Sequence, residues 1–172
     1  MSEPNATAPV LGVSTDQIEI ADSRQLAELS LALTLQCSRY LDIVSRHLDP
    51  AVYDNDAFFT AVKHLALGNR YARIRLLITD SRPLITRGHR LLDLAMRLPS
   101  FITVRGPAAQ HRDFNEAILL ADNVGYVHRR FADRFEGTAN FCDRRLCAAL
   151  GERFEELWER GAPDPNFKRL HL

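Results

Sequence analysis

The sequence predicts an α/β fold, a mixed central sheet sandwiched by helices. Three observations carry that expectation. Strand-like and helix-like patterns alternate through the first two thirds of the chain. The run Ala72–Thr79 becomes apolar on both of its faces toward its end, as a buried parallel strand does. Three short strand-like segments then follow one another, Phe114–Ala121, Val124–His128 and Arg134–Ala139, with Asp122-Asn123 as the first turn.

The elements are expected in the order β-α-β-α-β-α-β, then a β-β-β group, then a helix. Gln17–Ile20 alternates and reads as a short strand. Ser23 reads as an N-cap for a helix with Leu26, Leu29, Ser30 and Leu33 on one face. Arg39–Val44 alternates again as a strand, and Asp49-Pro50 makes a break. Asp54 or Asn55 caps the next helix, whose face is Phe58, Val62, Leu65 and Ala66. After the Ala72–Thr79 strand, Ser81 and Pro83 start a helix. It is expected to run through Leu84, Gly88, Leu91, Leu92, Ala95 and Leu98 to a stop at Pro99. Gly88 inside it implies close packing against the sheet. Phe101–Val104 is a strand followed by a Gly106-Pro107 turn. The last helix starts near Asp143 and buries Leu146, Leu150, Phe154, Leu157 and Trp158; the tail from Gly161 reads as irregular.

The 172 residues fit one domain, taken as residues 17–172 after a flexible leader of residues 1–16. The 22 basic residues balance the 22 acidic ones, so global charge does not favour a nucleic-acid or polybasic membrane binder. No apolar run approaches the ~20 residues that span a bilayer, and the start of the chain lacks the basic and apolar regions of a signal peptide. A cytoplasmic protein is expected. Its cysteines, Cys37, Cys142 and Cys147, are then reduced packing residues. No second Cys/His pair has ligand spacing, and neither a metal nor a cofactor is expected. No Gly-rich phosphate loop, nucleophile elbow or His-Glu-x-x-His motif occurs.

The stretch His111–Asp122 carries most of the information. It reads His-Arg-Asp-Phe-Asn-Glu-Ala-Ile-Leu-Leu-Ala-Asp, an apolar strand ending in an acid. With the hairpin and the Phe154/Trp158 helix after it, this layout resembles the active-site half of phospholipase D-like domains over roughly residues 36–160. That family's motif is His-x-Lys-x4-Asp, with His and Lys on one strand face. Asp122 matches the acid. Asn115 stands where the nucleophilic His belongs, and Ala117 where the phosphate-binding Lys belongs. An amide cannot replace an imidazole as nucleophile, and a methyl cannot neutralise a phosphate. The resemblance therefore implies a phospholipase D-like fold without the family's chemistry: a non-catalytic binding or regulatory module of the bacterial cytoplasm. Gly88-His89-Arg90 and Leu98-Pro99-Ser100 add a likeness to small bacterial members, some beside acetyltransferase domains. That likeness implies an acetyltransferase-like partner. Single-motif members also pair across a two-fold axis, which implies a homodimer with Asn115 and Asp122 near the axis.

Other residues stay open between chemistry and structure. His111, Asp113, Glu116 and His128 are acid–base candidates or surface polar groups, and Glu116 should face away from Asn115. Asp80, Ser81, Arg105 and Asp122 fall at carboxyl ends of strands, where open α/β sheets bind ligands. Arg105, Arg129 and Arg130 are candidate anion-binding residues. The even charge balance favours structural ion pairs for them. Tyr126 could stack a base or pack in the core. The alternatives to a binding module are thus a nucleic-acid or phosphometabolite binder using these arginines, and an enzyme of altered hydrolytic chemistry using Asp122 and His128.

Overall fold

The computed structural model describes residues 7–168. Its strands are β1 (Ile18–Ile20), β2 (Tyr40–Ser45), β3 (Arg73–Ile78), β4 (Ile102–Arg105), β5 (Ala117–Ala121), β6 (Gly125–Arg129) and β7 (Gly137–Asn140). Its helices are α1 (Ser23–Gln36), α2 (Pro50–Tyr53), α3 (Asp56–Gly68), α4 (Arg82–Arg87), α5 (Arg90–Arg97), α6 (Arg144–Arg160) and α7 (Pro165–Lys168). The sheet order is β1-β7-β6-β5-β2-β3-β4. β2, β3 and β4 are parallel neighbours, and β5 joins β2 antiparallel and continues into an antiparallel β6, β7 and β1. The sheet is mixed and flanked by helices, as the patterning implied.

Two apolar layers enclose the sheet, and β5 supplies both. Leu119 and Ala121 enter the core shared with α1, α3 and α5. Ile118 and Leu120 enter the core beneath α6 with Phe154, Leu157 and Trp158. A strand with period-two side chains and no polar face must be covered on both sides. The caps follow local chemistry: Asp22, Asn55 and Asp143 accept from backbone N–H groups in the first turns of α1, α3 and α6. Asp22 rather than Ser23 is therefore the α1 cap. Among the described residues no helix is long and apolar enough to cross a membrane.

Four expectations need correction. The helix expected from Ser81 through Leu98 is two helices, because Gly88 adopts φ +74° and ends α4. Gly88 is exposed and no atom would contact a Cβ there, so its role is the turn and not close packing. Pro50 starts a short helix, with proline in its first turn, where only a break was expected. The tail is ordered by a bridge between Gly106 and Ala162 and by α7. The leader is docked in its described part: Gly12 donates to the Phe141 carbonyl, Leu11 to the Gln36 side chain, and Asn140 donates to the Thr15 carbonyl. Residues 1–6 of that leader lie outside the described residues.

On the α6 side, Arg75 of β3 is buried. It donates to Asp42 of β2 at 2.8 and 3.1 Å and to Glu155 of α6 at 2.5 Å. Its guanidinium also lies over the rings of Phe154 and Trp158, 4.7 and 5.4 Å from their centroids. Asp42 is as buried as Arg75, whereas Glu155 reaches solvent. Removing Arg75 strands a buried carboxylate, which costs more than losing the pair. Arg75→Leu is expected to lose about 3–5 kcal/mol in chemical denaturation. The double variant Arg75→Leu/Asp42→Leu should recover a good part of that loss. A double variant as unstable as the single one would assign the cost to packing.

Candidate anion-binding cleft

β2, β3 and β4 are parallel, so their carboxyl ends share one edge of the molecule, and antiparallel β5 begins there. The loops leaving these strands enclose a cleft of about 830 Å³, with Arg46 and His47 after β2, Asp80–Arg82 after β3, Gly106 and Pro107 after β4, and Arg112 before β5. The segment Ala162–Asn166 forms the remaining wall. Asn166 reaches Ser81 Oγ across it, at 3.3 Å.

The electrostatics of this cleft are uneven. Arg82 forks onto Asp80 at 2.8 and 2.9 Å, and that pairing holds the Asp80 pKa down at about 2. His47 Nδ1 lies 3.0 Å from the Asp80 carbonyl, so Nδ1 carries the proton. Arg46 differs. Its Nη2 donates to Asn115 Oδ1 at 2.7 Å, and among the described residues no carboxylate pairs with it. A neutral amide orients the guanidinium and leaves its charge available. Arg112 is exposed on the same rim. Among the described residues neither arginine pairs with a carboxylate, Asp164 lining the same cleft without bonding either, and two such cations on one concave surface suit an anion.

The expected motif residues separate. Asn115 stands behind the cleft, bonded to its lining residue Arg46. Asp122 lies just beyond the opposite end of β5, seven residues or roughly 23 Å of extended chain away. With Asn123 and Val124 it connects β5 to β6 through a three-residue loop, Asp122 and Asn123 at φ +52° and +57° and the Val124 N–H donating to the Ala121 carbonyl. Its carboxylate accepts from the backbone N–H groups of Ser38, Arg39 and Tyr40 at 2.8–2.9 Å and from the Cys37 thiol. Burial alone would raise its pKa, but the Tyr40, Ser38 and Arg39 bonds prevail and hold it below the usual carboxylate value. Burial, and then the Asp122 charge, push the Cys37 thiol far up. Ala117 is buried, and its cross-strand neighbour is Arg129.

The arginines named from sequence do not form one site. Arg105 is on β4 and Arg129 on β6, four strand spacings or ~19 Å apart. Arg129 is buried, and its guanidinium is spent on Asp49 at 2.6 Å and on the carbonyls of Arg134 and Ala132. Arg105 donates to the Trp158 carbonyl at 2.8 Å and lies over that indole, so it caps the end of α6. Arg130 is exposed in the loop between β6 and β7. Structural pairing, favoured by the charge balance, describes Arg105 and Arg129.

Glu116 does face away from Asn115. On the α6 side it meets His128 at 2.8 Å and Arg153 at 2.7 Å. His111 lies 3.8 Å from Glu156, and Asp113 is exposed. His128 and Asp122 stand at opposite ends of the β5–β6 hairpin and cannot act on one atom. Tyr126 is fully buried, which is packing and not base stacking. Among the described residues no cluster of His, Cys, Asp and Glu could hold a metal. Arg46 and Arg112 escaped the sequence reading, although Arg46 follows a strand directly, the same signal that drew attention to Asp80 and Arg105.

Comparison with known proteins places this geometry. The family described as "Domain of unknown function (DUF7931)" matches residues 22–170. No curated protein matches the chain. Among solved structures, TrmBL2, an archaeal chromatin protein whose structure shows a novel mode of DNA binding, superposes with TM-score 0.63 at 15% identity. That match covers 94% of this chain but 57% of TrmBL2, so the chain spans little more than half of that relative. Nuc from Salmonella typhimurium, a phospholipase D family member, gives TM-score 0.54 at 14% identity, covering 78% of this chain and 88% of Nuc. NucT from Helicobacter pylori gives 0.60 at 9%, covering 87% and 98%. The fold is phospholipase D-like.

Replacing Asp122 leaves several backbone donors without acceptors. Asp122→Ala is expected to lose roughly 1–3 kcal/mol at pH 7. A carboxylate with a depressed folded-state pKa stabilises above its ordinary value of 3.8 and loses that effect as pH falls through the folded value. Denaturation curves of the two proteins should converge as the pH falls below that value. A constant gap would mean that the charge of Asp122 contributes nothing.

Proposed function

The chain belongs to the DUF7931 family, and we propose that it is a phosphate-binding module of phospholipase D-like fold that does not hydrolyse phosphodiesters. The observation that carries this reading is the bond from Arg46 to Asn115. In this reading Asn115, Ala117 and Asp122 occupy the positions of the family's His, Lys and Asp, and residues 17–172 form one domain. The place of the nucleophile then holds a neutral amide that aims an arginine into the cleft. The place of the lysine holds a buried methyl beside Arg129, whose charge is consumed by Asp49. Binding survives where catalysis has no nucleophile. The module pairs across a two-fold axis that passes near Asn115, as the resemblance implies; Asp122, at the far end of β5, lies away from it.

A thermal-shift screen against nucleotides, phosphorylated metabolites, phospholipid headgroups and short DNA and RNA tests the reading. A ligand at a hundred times its dissociation constant stabilises by ~2.7 kcal/mol. The shift should vanish in Arg46→Ala and in Arg112→Ala and persist in Arg130→Ala. The DNA binding of TrmBL2 supports a nucleic acid as a second reading of the ligand. Affinity that falls steeply with added salt would favour it over a small phosphorylated metabolite. No shift across the panel would refute phosphate binding.

Restoring the motif tests the assignment of positions. Asn115→His/Ala117→Lys is expected to fold with reduced stability, because the lysine enters a buried position beside Arg129. Weak turnover of an activated phosphodiester by this variant and not by the natural chain would support the register. A folded variant without any turnover would count against it.

A further inference from the structure

The edge of the sheet opposite the cleft carries a second organised surface. Three arginines lie on two tyrosines there. Arg39 sits 4.9 Å from the Tyr40 ring centre and 5.5 Å from that of Tyr71. Arg70 lies 4.7 Å from Tyr71, and Arg73 lies 4.7 Å from Tyr40. All three arginines are exposed, and among the described residues none is paired with a carboxylate. Two acids are near. Asp122 is occupied by backbone N–H groups, and Glu155, which feels Arg73, is bonded to Arg75. Stacking restrains each guanidinium, and Arg70 also donates to the Tyr71 hydroxyl, so less side-chain freedom is lost on binding an anion.

An apolar groove adjoins this patch. It has a volume of about 500 Å³ between the ends of α1 and α3 and is lined by Leu35, His64, Leu65, Gly68, Ser38 and Asn69. Asn69 donates to the Ser38 carbonyl, tying together the two loops that present Arg70 and Arg39. Leu35 and Leu67 are 64% and 58% exposed, and Tyr71 is 57% exposed. Large apolar side chains this open, grouped at one end and flanked by cations of one sign, mark an interaction surface.

We propose that this end docks a protein segment in which aspartates or glutamates flank an apolar anchor. The anchor enters the groove between α1 and α3, and its acidic neighbours meet Arg39, Arg70 and Arg73. Charge complementarity and concavity favour this occupant. A single-stranded nucleic acid needs vacant aromatic faces and a basic track. Here the tyrosine faces already carry guanidinium groups, and the surface beyond them is apolar. A membrane surface would meet flat or convex apolar side chains, not a groove.

The test is selection of short random peptides displayed against the full chain, followed by affinity measurement on synthetic copies. Two variants, Arg39→Glu/Arg73→Glu and Leu35→Ser, change exposed positions and should keep the natural circular dichroism and melting temperature. Selected peptides are expected to combine Asp or Glu with a Leu, Ile or Phe, and to lose about tenfold or more in affinity on each variant. Selection of no peptide, of peptides without that pattern, or of peptides indifferent to both variants overturns the proposal. So does binding of oligo-deoxythymidine or phosphatidylglycerol vesicles that depends on Arg39 and Arg73 while no acidic peptide binds, which would reassign the surface. Arg46→Ala should leave peptide affinity unchanged, so failure here is distinct from failure of the phosphate-binding reading.

Discussion

One buried guanidinium sets the position of much of this molecule. Arg75 joins β3 to β2 through Asp42 and both to α6 through Glu155, with Phe154 and Trp158 stacked against its plane. An ion pair in a low-dielectric layer tolerates little displacement, because either charge left alone is strongly penalised. α6 is therefore fixed in register as well as in place. Its far end is held in turn by Arg105, which reaches the Trp158 carbonyl, and Gly161 then passes close to the Gly106 carbonyl. A Cβ at Gly161 would lie 2.6 Å from that oxygen, so the exit from α6 needs glycine. From there the chain bridges Gly106 and forms the outer wall of the cleft. The wall of the cleft thus depends on an arginine buried beneath the helix.

The two ends of β5 divide the labour. At its start Asn115 orients Arg46 toward solvent and a concave surface. At its end Asp122 turns inward on the backbone of Ser38, Arg39 and Tyr40 and makes the α1–β2 connection rigid. The same connection presents Arg39 and Tyr40. A carboxylate spent on backbone donors therefore supports a cationic surface without neutralising it.

The sheet was legible because its strands obey a period of two and its hairpin carries an Asp-Asn turn. The double burial of Ile118–Ala121 could be read directly from unbroken apolarity. The break at Gly88 was not legible, since a glycine within a helical pattern looks the same whether it is tolerated or ends the helix, and only the φ of +74° decides. The site was less legible than the fold. Charge balance favoured an ion pair for Arg129 but could not name its partner, because sequence does not show what lies opposite a strand end, and here Asp49 arrives from a distant loop. Arg46 was overlooked although it stands at the carboxyl end of β2, because its partner Asn115 is nearly seventy positions away. Asp122 was singled out as a motif acid, and its work proved to be backbone capping. The docking of Leu11 and Gly12 depends on Gln36 and Phe141, contacts without any local pattern.

The pairing of β1 with β7 has a consequence for how the chain folds. Ile18 lies beside Ala139, so the first strand described must wait for the last one. The parallel β2–β3–β4 block can assemble from its own crossovers, whereas closing the β7 edge requires a loop that runs from Ile18 to Ala139 and contains every other strand. Until then β7 offers unpaired N–H and C=O groups to any extended chain nearby. Folding kinetics and aggregation should therefore be governed by arrival of the Ile18–Ile20 segment at that edge, and less by assembly of the core.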